Sequence, residues 1–252
     1  FNYSKKIKID FFATPFDIPS LKFLEKLNLP LYKIASADIL NLPLQTEIAK
    51  TKKPIILSTG GATLKDVKAA VKNITRYNKN LSVLQCTASY PADWKDMNLN
   101  VLQTYKKEFK NHVVGLSDHE AGIQAASLAF MLGARVFEKH FTLNRANKGT
   151  DHSFSLEPEG LRKVSRNLQR IPILLGSKVK KRLKKEKEPL LKMEKSIVAS
   201  RNIKKDHKIK IQDLDFKSPG DGLPPNKLDM IVGKIAKKNF LKESLILLKD
   251  LK

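Results

Sequence analysis

Six short apolar runs recur along the chain, each ending on or beside a polar or reactive side chain. They are IDFFAT (9–14), YKIAS (32–36), PIILST (54–59), LSVLQCT (81–87), VVGLS (113–117) and RVFEKHF (135–141). Their residues are continuous rather than alternating in polarity, which predicts strands buried on both faces of a parallel sheet. Amphipathic segments separate them. The clearest begins at Thr63, where Thr63 and Asp66 have capping-box spacing and Leu64, Val67, Val71 and Ile74 share one helical face. Strand then helix, repeated every 22 to 32 residues, predicts βα units with right-handed crossovers. Parallel strands deliver their C-terminal ends to one face. Thr14, Ser36, Ser58, Thr59, Thr87, the Ser117-Asp118-His119 run and His140 are therefore expected to converge there, as on the active-site rim of a (β/α)8 barrel.

Composition narrows the function. The chain has 252 residues, 41% of them hydrophobic and 29% charged, enough to bury a full core. No apolar run approaches the roughly 18 to 20 residues of a membrane span, and no signal peptide opens the sequence, so no membrane partner is expected. A single cysteine, Cys86, excludes an internal disulfide framework and fits a reducing compartment, most simply the cytoplasm. The net charge of +23 invites a nucleic-acid reading. Only eight of the 48 basic residues are arginine, however, whereas base and phosphate readers lean on arginine's bidentate fork. The densest run, KVKKRLKKEKE at 178–188, carries its own glutamates and reads as a linker. A solvated lysine-rich surface is the better account, and no nucleic-acid partner is expected.

Two rim groups carry candidate chemistry. His119 and His140 end consecutive runs, so two imidazoles can meet on one side of the mouth and, with waters, hold a divalent ion such as Mn2+ or Mg2+. Either could instead be a core histidine bonded to a carbonyl. Thr14, Ser36, Ser58 and Ser117, with Lys33 nearby, can surround a phosphate, and the glycines of STGG (58–61) can bring backbone N–H groups to an anion. Taken singly, each hydroxyl is equally a turn former or helix cap.

Read in order, FFATPFD, KIASADI, PIILSTGG, CTASYP, GLSDHEAG, FEKHFT and GTDHSFSLEPEGL closely resemble the motifs of the N-acetylneuraminate (sialic acid) synthase family, which includes the legionaminate and pseudaminate synthases. The resemblance implies a TIM barrel over residues 1–176, a lysine-rich linker over 177–192 and a small C-terminal SAF (antifreeze-like) domain over 193–252. It implies condensation of phosphoenolpyruvate with an N-acetylated aldose, giving a nine-carbon 2-keto acid sugar and phosphate, by a homodimer. Residue by residue, His119 and His140 match metal ligands, Thr14, Ser36, Ser58 and Ser117 match phosphoenolpyruvate-binding hydroxyls, and Lys33 matches the lysine that neutralises its anionic groups. Tyr90 and Asp151 match sugar-side contacts, and Glu138 is a further rim carboxylate. Lys33 and Glu138 are the expected catalytic pair. The other readings are a catalytically silent relic of the same fold and an aldolase using Lys33 as a Schiff base.

Three departures from the family accompany these motifs. Ala88 stands where the family commonly has asparagine after Cys-Thr, and Ser218 where an arginine precedes Pro-Gly. The family's E-x-G-x-N-H and V-K-F-Q motifs, on its first two barrel strands, do not occur in this sequence. The resemblance therefore implies a barrel lacking its first two βα units, with six strands, two unpaired edges and poor solubility or activity as an isolated chain.

Overall fold

The computed structural model describes residues 1–252, which divide into two compact units, Phe1–Gly176 and Ser177–Lys252. In the first unit a short helix α1 (Asn2–Lys6) and α2 (Ile18–Glu25) precede an alternation of strand and helix. The order is β1 (Tyr32–Ile34), α3 (Leu42–Lys50), β2 (Ile55–Ser58), α4 (Leu64–Thr75), β3 (Leu81–Cys86), α5 (Val101–Glu108), β4 (Val113–Asp118), α6 (Gln124–Met131), β5 (Val136–Lys139) and α7 (Pro158–Leu175). The five strands pair in parallel in sequence order. The result is a curled half-barrel of α/β type, its helices crossing between neighbouring strands as the repeat predicted.

Local chemistry sets the helix starts. Asp17 accepts from the Ser20 N–H at 2.6 Å before α2, and Asn41 accepts from the Leu44 N–H before α3. The Thr63–Asp66 capping box opens α4 as its spacing predicted. Val67, Ala70, Val71 and Ile74 form the buried stripe of that helix, whereas Leu64, expected on the same face, is exposed in its first turn.

One expectation is corrected. The run at 9–14 is not a strand: only Ala13 bridges to Tyr32, its carbonyl accepting from the Lys33 N–H, and Ile9, Phe11 and Phe12 are exposed. An extended segment that meets its neighbour at one residue has no ladder to belong to, so the sheet has five strands rather than six. As the continuous runs predicted, β1 to β4 are buried on both faces, except at Ile56, Ser82 and Val113 near their starts. Alternate residues Ile34, Leu57, Val83, Val114 and Leu116 pack under the helices in the main core, while Lys33, Ile56, Ser82, Ser58, Leu84 and Gly115, aligned by register, line the concave side, where Ile56 and Ser82 are half-exposed. Each residue of β5 is partly exposed, although the Lys139 side chain is buried. The apolar runs read as continuous because small and apolar residues fill the concave side near the strand starts. Gly115 is required there: a Cβ would lie 2.4 Å from both the Leu84 side chain and the Val136 carbonyl.

In the second unit, part of the basic segment read as a linker is helical, over Lys184–Glu186 and α8 (Lys187–Met193). Beyond it, β6 (Ser196–Ala199) pairs antiparallel with β7 (Leu214–Lys217). Ile197, Ala199, Ile203, Ile209, Ile231, Phe240 and Ile246 form a separate core. Asp213 is fully buried there. It accepts from Arg201, His207 and the Lys210 N–H. No helix is long and apolar enough to cross a membrane.

Candidate active site

The ends of β4 and β5 build the site as three successive cross-strand pairs. Because side chains alternate along a strand, the pairs fall on alternating faces. Ser117 stands opposite Glu138 on the concave face and donates its hydroxyl to Oε1 at 2.6 Å. Asp118 stands opposite Lys139 on the helix-covered face, with Lys139 Nζ 2.9 Å from Oδ2. One residue further on, His119 and His140 meet edge to face with ring centroids 5.2 Å apart.

A polar chain runs from the first pair into the half-barrel. Glu138 Oε2 lies 3.4 Å from Lys33 Nζ, and Lys33, though nearly buried, also donates to the Ile34 carbonyl. A carboxylate and an ammonium brought together in such a position offset part of each other's cost of burial. On the neighbouring strand the Ser58 hydroxyl is buried and has no hydrogen-bond partner, an arrangement that a buried donor rarely keeps without a ligand or solvent to satisfy it. Ser36 Oγ accepts from the Gly60 N–H at 2.9 Å, which leaves its own O–H to donate. That bond also removes Gly60 from the backbone donors expected to face an anion, and a Cβ at Gly60 would meet Ser36, Cys86 and Ala88 within about 3 Å. Thr14 is placed beside β1 through the bridge of its neighbour Ala13.

The histidines belong to an aromatic cluster. Tyr90 packs on His119 at 4.2 Å and on His140 at 5.8 Å, and Phe154 packs on both His140 at 5.0 Å and Tyr90 at 5.9 Å. His119 Nδ1 lies 2.8 Å from the Thr87 carbonyl, which places a ring proton on Nδ1 and leaves Nε2 outside that bond. His140 Nδ1 faces the Asp151 carboxylate at 3.4 Å. Burial and the neighbouring His119 push the His140 pKa below its ordinary value, against the pull of Asp151 and Glu138, so His140 is neutral near pH 7. Burial and the negative potential of Cys86, Asp151 and Glu138 raise Tyr90, which keeps its phenol protonated.

Two imidazoles, each steadied at one nitrogen by an oxygen, are a donor set and outer shell that divalent ions use. The imidazole pair fits Mn2+ better than Mg2+, which favours an all-oxygen shell. No cluster of three or more metal-binding side chains is formed, so solvent or substrate would complete the coordination.

The structure thus brings together Lys33, Ser117, Glu138, Tyr90, His119, His140 and Asp151, and sets Ser58 on the same concave face. Lys139, Phe154, Cys86 and the Thr87 carbonyl were not legible as site components. Strand alternation could have paired Lys139 with Asp118. Nothing in the sequence signals that Phe154 would back His140. A cleft of about 530 Å³, lined by Thr59, Gly61, Cys86, Ala88, Ser89 and Tyr105 among others, opens beside the ends of β2 and β3.

The profile of the NeuB family matches residues 1–180, and that of the SAF domain matches residues 194–252. The chain belongs to the NeuB family. It is 39% identical over 247 residues to the N,N'-diacetyllegionaminic acid synthase of Campylobacter jejuni, covering 97% of this chain and 74% of that one. It is 35% identical over 233 residues to human N-acetylneuraminate-9-phosphate synthase, covering 92% and 65%. Among solved structures it matches the N-acetylneuraminic acid (sialic acid) synthetase of Leptospira borgpetersenii, crystallised with citrate, with a TM-score of 0.68 and 36% identity over 75% of this chain and 66% of that one. This NeuB-family chain therefore spans about two thirds to three quarters of the length of these relatives.

Proposed function

We propose that this chain carries the synthase centre for a nonulosonic acid, condensing phosphoenolpyruvate with an N-acetylated aldose such as N-acetylmannosamine or a deoxy, diacetamido relative. The observation that supports it is the run of cross-strand pairs that places Lys33, Ser117, Glu138, His119 and His140 along one side of the half-barrel mouth.

In the reaction the enol carbon of phosphoenolpyruvate bonds to the aldehyde carbon, whose oxygen takes a proton. Water adds at C2, and the bond from C2 to the phosphate oxygen breaks, releasing phosphate. Lys33 neutralises the anionic groups of phosphoenolpyruvate, and the unpartnered Ser58 hydroxyl donates to one of its oxygens. Ser117 orients Glu138, whose Oε2 is positioned to accept the proton of the adding water. Tyr90 and Asp151 bound the sugar side. Held by His119 and His140, a divalent ion would supply Lewis-acid polarisation of the aldehyde.

A Schiff-base aldolase suits the geometry less well. Lys33 Nζ is engaged by Glu138 and the Ile34 carbonyl, whereas imine formation needs an amine free to attack a carbonyl carbon. The homodimer remains part of this proposal, supported by the exposure of Tyr90, Phe141 and Leu143, an apolar rim that a second subunit would cover.

The test is to incubate the chain with phosphoenolpyruvate, Mn2+ and each aldose, following phosphate release and the nine-carbon product by mass spectrometry, and to measure Mn2+-dependent phosphoenolpyruvate binding in parallel. Product formation that disappears in His119→Ala supports the reading. Neither product nor binding would overturn it.

A further inference from the structure

We propose that the buried Asp118–Lys139 ion pair is the positioning device that sets the spacing of His119 and His140. The proposal rests on the metal-binding reading of those histidines. Neither Asp118 nor Lys139 can touch a ligand on the concave face: both side chains lie on the other side of the sheet, 2% and 5% exposed, where α5 and α6 pack on β4.

Lys139 does more than neutralise Asp118. Its Nζ donates to Asp118 Oδ2 at 2.9 Å and to the Glu120 carbonyl at 2.5 Å, while Asp118 Oδ1 accepts from the Glu120 N–H at 2.8 Å. The residues before and after His119 are thus both tied, directly, to the residue before His140. The regular ladder ends at the Asp118–Lys139 pair, so neither histidine has a backbone rung of its own across β4 and β5. This three-point clamp takes over where the ladder stops.

Energetics favours a positioning role over a purely stabilising one. A buried ion pair is often no more stable than an apolar pair of similar volume, so its presence is better explained by the geometry it specifies. Its hydrogen bonds are directional, whereas apolar packing at that place would let the two strand ends slide against each other. Outer-shell contacts of this kind typically change metal affinity by roughly 10- to 100-fold when removed.

Because deleting one charge strands the other in the interior and can unfold the protein, the test uses the neutral double variant Asp118→Asn/Lys139→Met, whose side-chain amide oxygen at position 118 can still accept from the Glu120 N–H. A crystal structure of the variant without metal gives the ring separation directly, and the electron paramagnetic resonance signal of free Mn2+ gives the affinity. The expected result is a folded protein whose histidine centroids move from 5.2 Å by about 1 Å or more, and whose Mn2+ affinity falls about tenfold or more. An unchanged separation overturns the proposal whatever the metal does. A changed separation in a protein whose parent form never bound Mn2+ leaves the clamp standing and sinks the metal reading instead. If the double variant does not fold, Lys139→Arg carries the test. It keeps the charge on a longer planar head that cannot reproduce the compact contact to both Asp118 and Glu120. A shifted spacing is expected there, and parent spacing overturns the proposal.

Discussion

Ser117 donates its hydroxyl proton to Glu138 across the β4–β5 ladder at 2.6 Å, and Glu138 turns its other oxygen to Lys33. One hydroxyl on one strand thereby orients a carboxylate on the next and, through it, an ammonium on β1. Ser117→Ala is expected to keep the fold and lower kcat/KM for phosphate release by about tenfold to a hundredfold, the range for losing a hydrogen bond to a charged group. Activity equal to the parent would separate Ser117 from the mechanism.

His119 keeps one imidazole nitrogen outside its bond to the Thr87 carbonyl. His119→Ala is expected to weaken Mn2+ binding by at least about a hundredfold in isothermal titration while leaving the far-ultraviolet circular dichroism unchanged. Mn2+ affinity within a factor of two of the parent would show that the histidine pair is a packing feature of the aromatic cluster.

Gly115 faces β5 with the Val136 carbonyl in the path of any Cβ. Gly115→Ala is expected to destabilise the first unit by roughly 1 to 3 kcal/mol through overpacking, read as an earlier thermal midpoint. Since backbone rather than a flexible side chain blocks the site, the loss should not be recovered by shortening Leu84.

Asp213 gives a pH signature. Burial by itself would raise its pKa, but the Lys210 N–H, His207 and Arg201 outweigh it and hold the carboxyl at about 2. The folded value lies below the unfolded one near 3.9, so this contribution is fully present above the unfolded value and fades as pH falls from about 4 to 2. Its size is about 2 kcal/mol. Asp213→Asn should therefore unfold in less urea than the parent at pH 7, with the gap shrinking at pH 3 and closing near pH 2. A gap independent of pH would assign the effect to packing.

The order of strands and helices, the capping box of α4 and the placement of Ser117, His119, Glu138 and His140 at strand ends were determined by the sequence itself. Period-two and period-3.6 patterning are local properties, and a parallel sheet carries every strand end to one face. The motifs likewise carried the family, because they run through most of the chain in order. What only the tertiary structure decided is which neighbours each group meets. Residues 9–14 have strand composition but no partner beyond Ala13, so pairing failed where propensity was satisfied. Ser36 has a hydroxyl suited to an anion, and only the fold shows that its oxygen also receives the Gly60 N–H. Lys139 reads as one more lysine among 40 in the chain until register sets it opposite Asp118, in the interior, where a charge with two hydrogen-bond partners can hold two strands in place. Register, burial and cross-strand contact are relations between distant residues, and no local pattern encodes them.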